Sequence, residues 1–338
     1  MSFRRKAIRT AIALAVSGIL LASVLRRVDL GVLAARVADF RIAPLGLALF
    51  CATAVLLLRA QRFYALAERA DFGTTIAAVA VQNFLVRVTP FRVGELGLPV
   101  VLARHAGEPL VRSLVNVLLV RLVELWMLLL VGAGATAAFV GPRGGSGFAL
   151  PLGLLIGVTA AVFTFRGWLG GLARLARRVG DPGTPGLRGK VRRTLDQLLE
   201  VLADGGRLSL GSRLRLGLGT LAIAGFQSLL YWSLLALFGV GASVVQVLVG
   251  GTAAQFAAAA PVPSVGSVGP LEAAWVAGFT WVGIGREDAV VTAVGCQVVT
   301  LGFAAVFACV AWLWLGRRGR PPPGPGQWPS DVRGAGRT

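Results

Sequence analysis

The sequence contains apolar runs long enough to cross a lipid bilayer, and no other feature limits its possible folds more strongly. The runs cover roughly 7–25, 43–58, 113–140, 148–165, 216–239 and 288–315. A helix needs about 20 residues to cross a hydrocarbon core of about 30 Å. Because lipid offers the backbone no hydrogen-bond partners, runs of this length form helices. The chain is therefore predicted to be an all-α, polytopic integral membrane protein with about six full transmembrane helices.

Positive charge lies between these runs. The chain has 34 Lys and Arg against 15 Asp and Glu, a net charge of +19, although only 14% of its residues are charged. Soluble domains average about a quarter charged residues. Basic residues in short loops beside transmembrane helices set orientation and meet anionic headgroups. We therefore expect membrane lipids, anionic ones in particular, as partners, and no nucleic acid.

The same residues predict the orientation. The segment 166–215 contains eleven basic residues, which indicates a cytoplasmic loop. The basic N-terminus and the Pro/Gly-rich tail 317–338 are expected on the same side, the tail disordered. This orientation also places 59–73 and 104–112 inside. The prediction is a multi-pass protein of the cell (cytoplasmic) membrane with both termini cytoplasmic.

Two further apolar stretches, 74–103 and 244–284, are interrupted by proline, glycine and polar residues such as Pro90 and Pro263. Residues of this kind break a helix, and a broken helix at membrane depth must line protein or water rather than lipid. With the orientation above, the first stretch enters and leaves from the inside and the second from the outside. Both are predicted to be re-entrant hairpins, or pairs of short helices, of opposite orientation.

An internal repeat agrees with this topology. Three matches share one separation of 172 residues: Asn83-Phe84 with Gln255-Phe256, Val93-Gly94 with Val265-Gly266, and Gly97 with Gly269. The same shift relates the long apolar runs to each other. We therefore predict a transmembrane domain over 1–316 with inverted halves of about 7–140 and 148–315. Inverted repeats with broken helices are typical of transporters, with the substrate site between the breaks.

The segment from Asn83 to Glu95 is the densest candidate for a site. Arg92 and Glu95 share a face if a helix begins after Pro90, and its first N–H groups would point into the cavity. Arginine beside a helix N-terminus favours an anion such as phosphate. The alternative is a buried salt bridge between the two that only holds the hairpin.

Three other acidic or basic positions lie inside apolar segments. For Arg121 and Glu124 we favour a structural ion pair between their helix and the first hairpin. Glu272, at the second break, is interpreted as a partner of Arg92 or as a proton carrier. Four polar residues are expected to make interhelical hydrogen bonds rather than bind ligand: Gln227, Tyr231, Gln255 and Gln297. No metal cluster, nucleophile–base pair or nucleotide-binding loop is present in the sequence, so we expect no cofactor and no enzyme activity.

The broken segments resemble two motifs of the lysylphosphatidylglycerol synthase transmembrane family, also called the flippase-like domain family. Asn83…Pro90-Phe-Arg92-Val-Gly94-Glu95 is similar to its N…P-x-R-x-G-E motif, and Arg121-Leu-Val-Glu124 to its E-R-x-x-D motif. The stretch from Pro263 to Glu272 resembles its glycine-rich turn followed by glutamate. The resemblance assigns substrate-binding positions to Asn83, Pro90, Arg92, Gly94, Glu95, Gly266, Gly269 and Glu272, with Arg121 and Glu124 supporting them.

The resemblance implies a unit that moves lipids between leaflets, without the soluble aminoacyl-transferase domain. It also shows departures: Gly97-Leu98-Pro99 follows Glu95 where the family usually has an arginine, and Val120 stands before Arg121 where the family has glutamate. The leading hypothesis is translocation of an anionic lipid, of phospholipid or polyprenyl-phosphate type. The alternative is a non-transporting membrane subunit or accessory of lipid or glycan synthesis, with an enzyme of that synthesis as partner.

Overall fold

The computed structural model describes residues 42–89, 93–141, 153, 156, 210–259 and 270–318. These residues are all-helical, with eight α-helices and one short 3-10 helix, Val93–Leu96. The first four α-helices are α1 (Ile42–Leu66), α2 (Phe72–Val88), α3 (Gly97–His105) and α4 (Leu110–Val140). The other four are α5 (Leu210–Leu237), α6 (Val244–Ala259), α7 (Pro270–Trp281) and α8 (Arg286–Arg317).

Four of these helices, α1, α4, α5 and α8, are long and apolar enough to cross a membrane. They confirm the predicted spans at 43–58, 113–140, 216–239 and 288–315. The predicted spans at 7–25 and 148–165 fall outside the described residues, apart from helical positions 153 and 156. Most of the basic loop 166–215 and the tail beyond Arg318 fall outside them too.

The described helices repeat along the chain. A shift of 172 residues carries Phe72, the first residue of α2, onto Val244, the first residue of α6. Each half thus consists of a long helix, a shorter apolar helix, a break, a short helix and a second long helix. The repeat predicts two helices, a broken hairpin and one more helix in each half. The described order agrees with this from the second helix onward, and the first helix of each half falls outside the described residues apart from positions 153 and 156.

The two halves are inverted, because the equivalent helices α1 and α5 pack antiparallel. Arg62, near the end of α1, donates from Nη1 to Thr220 Oγ1, near the start of α5, at 3.1 Å. Phe50, near the start of α1, stacks edge-on against Phe226, further along α5, with 6.1 Å between ring centroids. A two-fold axis in the membrane plane gives this arrangement.

Packing between the halves follows the same symmetry. α2 lies antiparallel to α8, with Gly73 against Trp314 at one end and Arg87 Nη1 donating to Thr300 Oγ1 at 3.1 Å further along. The equivalent pair is α6 and α4, in which the side chain of Thr252 packs against Gly132. Glycine at this crossing lets the two backbones approach closely.

Each short pair of helices forms a hairpin with its own buried cluster. The first hairpin, α2 with α3, contributes Val79, Val81, Leu98 and Leu102 to one cluster. The second hairpin, α6 with α7, contributes residues such as Val247, Trp275 and Phe279 to another. Two cores of this kind leave the space between the hairpins available for a site.

Both ends of the first hairpin meet at one place. The carboxylate of Glu108, just before α4, accepts from the backbone N–H groups of Glu68 (2.6 Å), Arg69 (2.6 Å) and Ala70 (3.3 Å), which lie just before α2. In the second hairpin Gln246 Nε2 donates to the carbonyl of Val282 at 2.8 Å. Each hairpin therefore enters and leaves on the same side of the bundle, as predicted for a re-entrant segment.

A surface contact also fixes the start of α2. Asp71 caps this helix by accepting from Thr74 N at 3.2 Å, and it binds Arg318 Nη1 at 2.7 Å. Arg318 lies 3.9 Å above the ring of Trp314. Although partial burial raises the pKa of Asp71, the hydrogen bonds from Thr74 and the charge of Arg318 outweigh it and lower the pKa. The end of α8 is thus attached to the root of the first hairpin.

We expect Glu108→Ala to lower the free energy of unfolding by about 3 kcal/mol, because three backbone donors lose a charged acceptor in a buried place. Glu108→Gln retains one acceptor oxygen and should cost less than half of this. Thermal unfolding in detergent measures both changes. The control is Glu287→Ala, which removes an exposed glutamate near the start of α8. Equal unfolding temperatures for Glu108→Ala and the control would contradict the assigned role of Glu108.

Candidate functional site

A cavity of 1210 Å³ lies between the two hairpins. It is bounded by both hairpins and by the four long helices. The polar residues that line it come mostly from the first half of the chain and from α5 and α8: Arg59, Gln82, Asn83, Arg87, Glu95, Arg121, Glu124, Thr220, Gln227, Tyr231, Gln255, Gln297 and Thr300. Apolar residues such as Leu118, Met127 and Phe256 fill the remaining wall. A concave, largely apolar space with a few convergent polar groups is the usual form of a binding site.

The cavity lies deep in the helical bundle. Glu124 lies close to the middle of α4 (Leu110–Val140), and Thr300 close to the middle of α8 (Arg286–Arg317). Both helices are long enough to span a membrane. Charged groups at such depth cost about 2.5–3.5 kcal/mol each on insertion scales, so they require partners or a ligand.

Glu124 is the centre of the ion pairs in the cavity. Arg62 of α1, which is only 4% exposed, binds one of its carboxylate oxygens, and Arg121 of α4 binds the other at 2.8 Å. Arg121 also reaches Glu95, at 3.4 Å, in the 3-10 helix that follows the break in the first hairpin. This chain of contacts joins α1, α4 and the first hairpin. The ion pair predicted between the helix of Arg121 and the first hairpin is present.

Two other arginines of the cavity are held by neutral groups. Arg59 Nη1 donates to Asn83 Oδ1 at 3.3 Å, and Arg87 Nη1 donates to Thr300 Oγ1 at 3.1 Å. Arg59 Nε is buried with no hydrogen-bond partner in the described part of the chain. The direct partners of Glu124 are Arg62 and Arg121 rather than Arg59. Among the described residues, the site therefore carries more positive than negative charge.

The charges occur in only one of the two repeats. The shift of 172 residues carries Arg59 onto Tyr231, Arg87 onto Ala259, Arg121 onto Ala293 and Glu124 onto Cys296. The second half forms the same helices without any of these charges. Helix packing common to both halves therefore does not require them.

The predicted site residues have different positions. Asn83 and Glu95 line the cavity, as do the supporting residues Arg121 and Glu124. Glu272 lies in the first turn of α7, outside the cavity wall, although its neighbour Leu271 belongs to that wall. The remaining four positions fall outside the described residues: Pro90, Arg92, Gly266 and Gly269. The predicted pairing of Arg92 with Glu95 or Glu272 falls outside them as well.

Gly94 is a packing residue of the first break. A Cβ atom at this position would collide with the backbone of Leu85 and Val86 in α2. Its N–H donates to Thr89 Oγ1 at 2.9 Å, and the nearby carbonyl of Glu95 accepts from Gln82 Nε2 at 3.3 Å. The absence of a side chain thus lets the returning chain lie against α2 and brings Glu95 to the cavity.

Several residues of the cavity wall or of its ion pairs were not predicted as binding residues. Arg59 and Arg62 fall beyond the apolar run 43–58 and were assigned to an inside loop, but α1 continues to Leu66 and carries both into the bundle. Gln227, Tyr231, Gln255 and Gln297 were expected only to join helices, and they also line the cavity. Arg87 was also not predicted as a binding residue. Its spacing of four residues after Asn83 could have identified it, since this spacing places both residues on one face of α2.

The family model of the lysylphosphatidylglycerol synthase TM region matches residues 10–308. The match covers both repeats and the segment between them. No protein of curated function and no solved structure matches the chain.

We expect Gly94→Ala to destabilise the protein by about 1–3 kcal/mol, because the new methyl group meets backbone atoms that cannot rotate away. Thermal unfolding in detergent measures the loss. The matched control is Gly134→Ala in α4, where a Cβ meets no atom within 4 Å, so that change should leave stability unchanged or raise it. An equal effect of the two substitutions would show that Gly94 does not pack as described.

Glu124→Gln should destabilise the protein by about 3–5 kcal/mol, because it leaves Arg62 and Arg121 in the bundle without their shared carboxylate. Glu95→Gln should cost less, since the contact between Glu95 and Arg121 is longer, at 3.4 Å, and Arg121 keeps Glu124 when this contact is lost. The order of the two unfolding temperatures is the test. A smaller loss for Glu124→Gln than for Glu95→Gln would contradict the central position of Glu124.

Proposed function

The chain belongs to the lysylphosphatidylglycerol synthase TM region family, and from this premise we propose that it translocates an anionic lipid across the cytoplasmic membrane. The headgroup, of phospholipid or polyprenyl-phosphate type, would occupy the cavity while the acyl or prenyl chains remain in lipid. The matched region is a membrane domain, so we propose a transporter rather than an enzyme. We place both termini and the basic loop 166–215 in the cytoplasm.

The observation that carries this proposal is a positively charged cavity between two inverted hairpins. A headgroup cannot cross a hydrocarbon core unless the protein replaces its water, and the arginines and amides of the cavity provide such a replacement. The inverted hairpins supply two equivalent ways to approach the site, one from each side. Small movements of the hairpins against the long helices would expose the cavity alternately.

The described hairpin roots support this mechanism. In the first hairpin Glu108 joins the two ends of the segment, so the pair α2 and α3 is attached as one unit. The tip of this unit carries Glu95, whose contact with Arg121 is longer and more exposed than the contact between Arg121 and Glu124. We propose that the contact between Glu95 and Arg121 breaks and forms again as the hairpin moves, while Glu124 keeps its arginines.

A second function rests on the eleven basic residues of segment 166–215. A cytoplasmic loop of this charge suits an acidic partner, such as an enzyme of lipid or glycan synthesis. In that case the chain is an accessory subunit that holds a lipid for its partner without moving it. Transport by the purified chain alone distinguishes the two functions.

We expect purified protein in liposomes to move fluorescent phosphatidylglycerol or a fluorescent polyprenyl phosphate between leaflets, measured by a membrane-impermeant quencher. Arg87→Gln should slow movement at least about tenfold, the loss expected from one charge-assisted hydrogen bond. The matched control, Arg104→Gln, removes an exposed arginine of α3 outside the cavity and should move lipid at the wild-type rate.

Folding of each protein is checked by its unfolding temperature before reconstitution. No movement of either lipid by folded wild-type protein would contradict translocation and favour the accessory function. Equal rates for Arg87→Gln and wild type would place the transport route elsewhere.

A further inference from the structure

We propose that the cavity selects a headgroup that ends in a phosphate monoester, with two negative charges, and that Arg59 and Arg87 bind this phosphate. The inference rests on the proposed function, since it names the substrate class of the same cavity. The inference distinguishes two kinds of phosphate group that an anionic lipid can carry, a diester and a monoester. A phosphodiester such as phosphatidylglycerol carries one negative charge, whereas a monoester carries about −1.5 to −2 near neutral pH.

The charge balance of the cavity leads to this choice. Three arginines line it in the described part of the chain, Arg59, Arg87 and Arg121. Arg62, which does not line the cavity, binds Glu124 together with Arg121, and Arg121 also reaches Glu95. Among these described residues the two carboxylates are therefore matched by Arg62 and Arg121, and the charges of Arg59 and Arg87 remain. A ligand with two negative charges completes the balance, and a ligand with one does not.

The two remaining charges lie close together. Arg59 reaches Asn83 on α2, and Arg87 follows Asn83 by four residues, which is one turn further along the same face. Arg59, Arg87 and Tyr231 of α5 line the same cavity. One phosphate between α1, α2 and α5 can therefore meet both arginines.

The partners of these arginines position them and leave their charge intact. Asn83 and Thr300 each accept one hydrogen bond, from Arg59 and Arg87 respectively, and neither carries charge. Other N–H groups of each guanidinium are then free to donate, among them the buried Nε of Arg59, which has no partner among the described residues. A guanidinium is planar and presents two parallel N–H groups to a phosphate. Arg62 also has a buried Nε without a partner among the described residues, but it differs in that Glu124 and Thr220 already bind its two terminal nitrogens.

The test compares lipids that carry a phosphate monoester with a lipid that carries a phosphodiester. Equilibrium binding is measured in nanodiscs of a zwitterionic lipid with dioleoyl phosphatidic acid, a monoester, and dioleoyl phosphatidylglycerol, a diester. Polyprenyl monophosphate and inorganic phosphate are the two further arms. At pH about 8 we expect both monoester lipids to bind at least about tenfold tighter than phosphatidylglycerol, because the second ionisation of a monoester lies near pH 6. Weaker binding of inorganic phosphate than of either lipid monoester identifies the lipid as the ligand.

The preference should fall as the pH is lowered through about 6, because the monoester then loses its second charge while the diester does not change. This titration uses wild-type protein and so does not depend on any variant that folds poorly. A preference that is absent at high pH, or that does not change with pH, overturns the proposal.

Substitutions test whether the two arginines bind the phosphate. Arg59→Gln and Arg87→Gln should each lower the affinity for phosphatidic acid at least about tenfold and change that for phosphatidylglycerol much less. Arg87→Lys retains the charge and should lose only part of the affinity, and Arg104→Gln should match wild type. An unchanged monoester preference in both glutamine variants overturns the assignment.

The outcome is independent of transport. Protein that moves phosphatidylglycerol in liposomes but binds monoester and diester equally retains the proposed function and contradicts this inference. Protein that prefers the monoester and moves no lipid retains this inference and contradicts translocation.

Discussion

The carboxylate of Glu124 is the interaction on which the rest of the site depends. It lies near the middle of a helix long enough to span the membrane, and it binds Arg62 from α1 and Arg121 from its own helix. Without it, Arg62 would have to be inserted at depth without a direct counter-charge, at about 2.5–3.5 kcal/mol, and Arg121 would keep only its longer contact with Glu95. With it, α1 and α4 are joined, and α1 can extend past its apolar run with two arginines inside the bundle.

The helical arrangement that holds these ion pairs also forms without them in the second repeat. The second repeat builds the same four helices with Cys296, Ala293 and Tyr231 at the positions of Glu124, Arg121 and Arg59. Its own tight contacts are made by small residues, such as Gly250 against the ring of Phe279 and Gly278 against Ala253. One half thus supplies the charges and the other a neutral wall of Tyr231, Gln227, Gln255 and Gln297. The two halves thus share their helix packing but differ in the side chains that they place in the cavity.

Much of the fold could be predicted from the sequence because lipid allows few solutions. The long apolar runs, the breaks at proline and glycine, and the 172-residue repeat were sufficient for the four long helices and both hairpins. Asn83, Glu95, Arg121 and Glu124 were found because they interrupt apolar segments. Arg59 and Arg62 were not predicted to be site residues, because a prediction from hydropathy ends a membrane span at its first charged residue. Their burial depends on Glu124, some sixty residues away in the chain, and only tertiary structure shows that contact.

The lengths of the hairpin helices explain why the cavity lies where it does. At 1.5 Å per residue, the 9 residues of α3 and the 12 residues of α7 are each too short to cross a core of about 30 Å. Each hairpin must therefore turn inside the membrane, and its turn must be covered by protein or water. Because α1 and α5 are antiparallel, the two hairpins have opposite orientations, and residues of both line the cavity between the long helices. The side chains of Asn83 and Glu95, on the described sides of the first break, face this shared space. The cavity thus offers polar groups at a depth where lipid offers none.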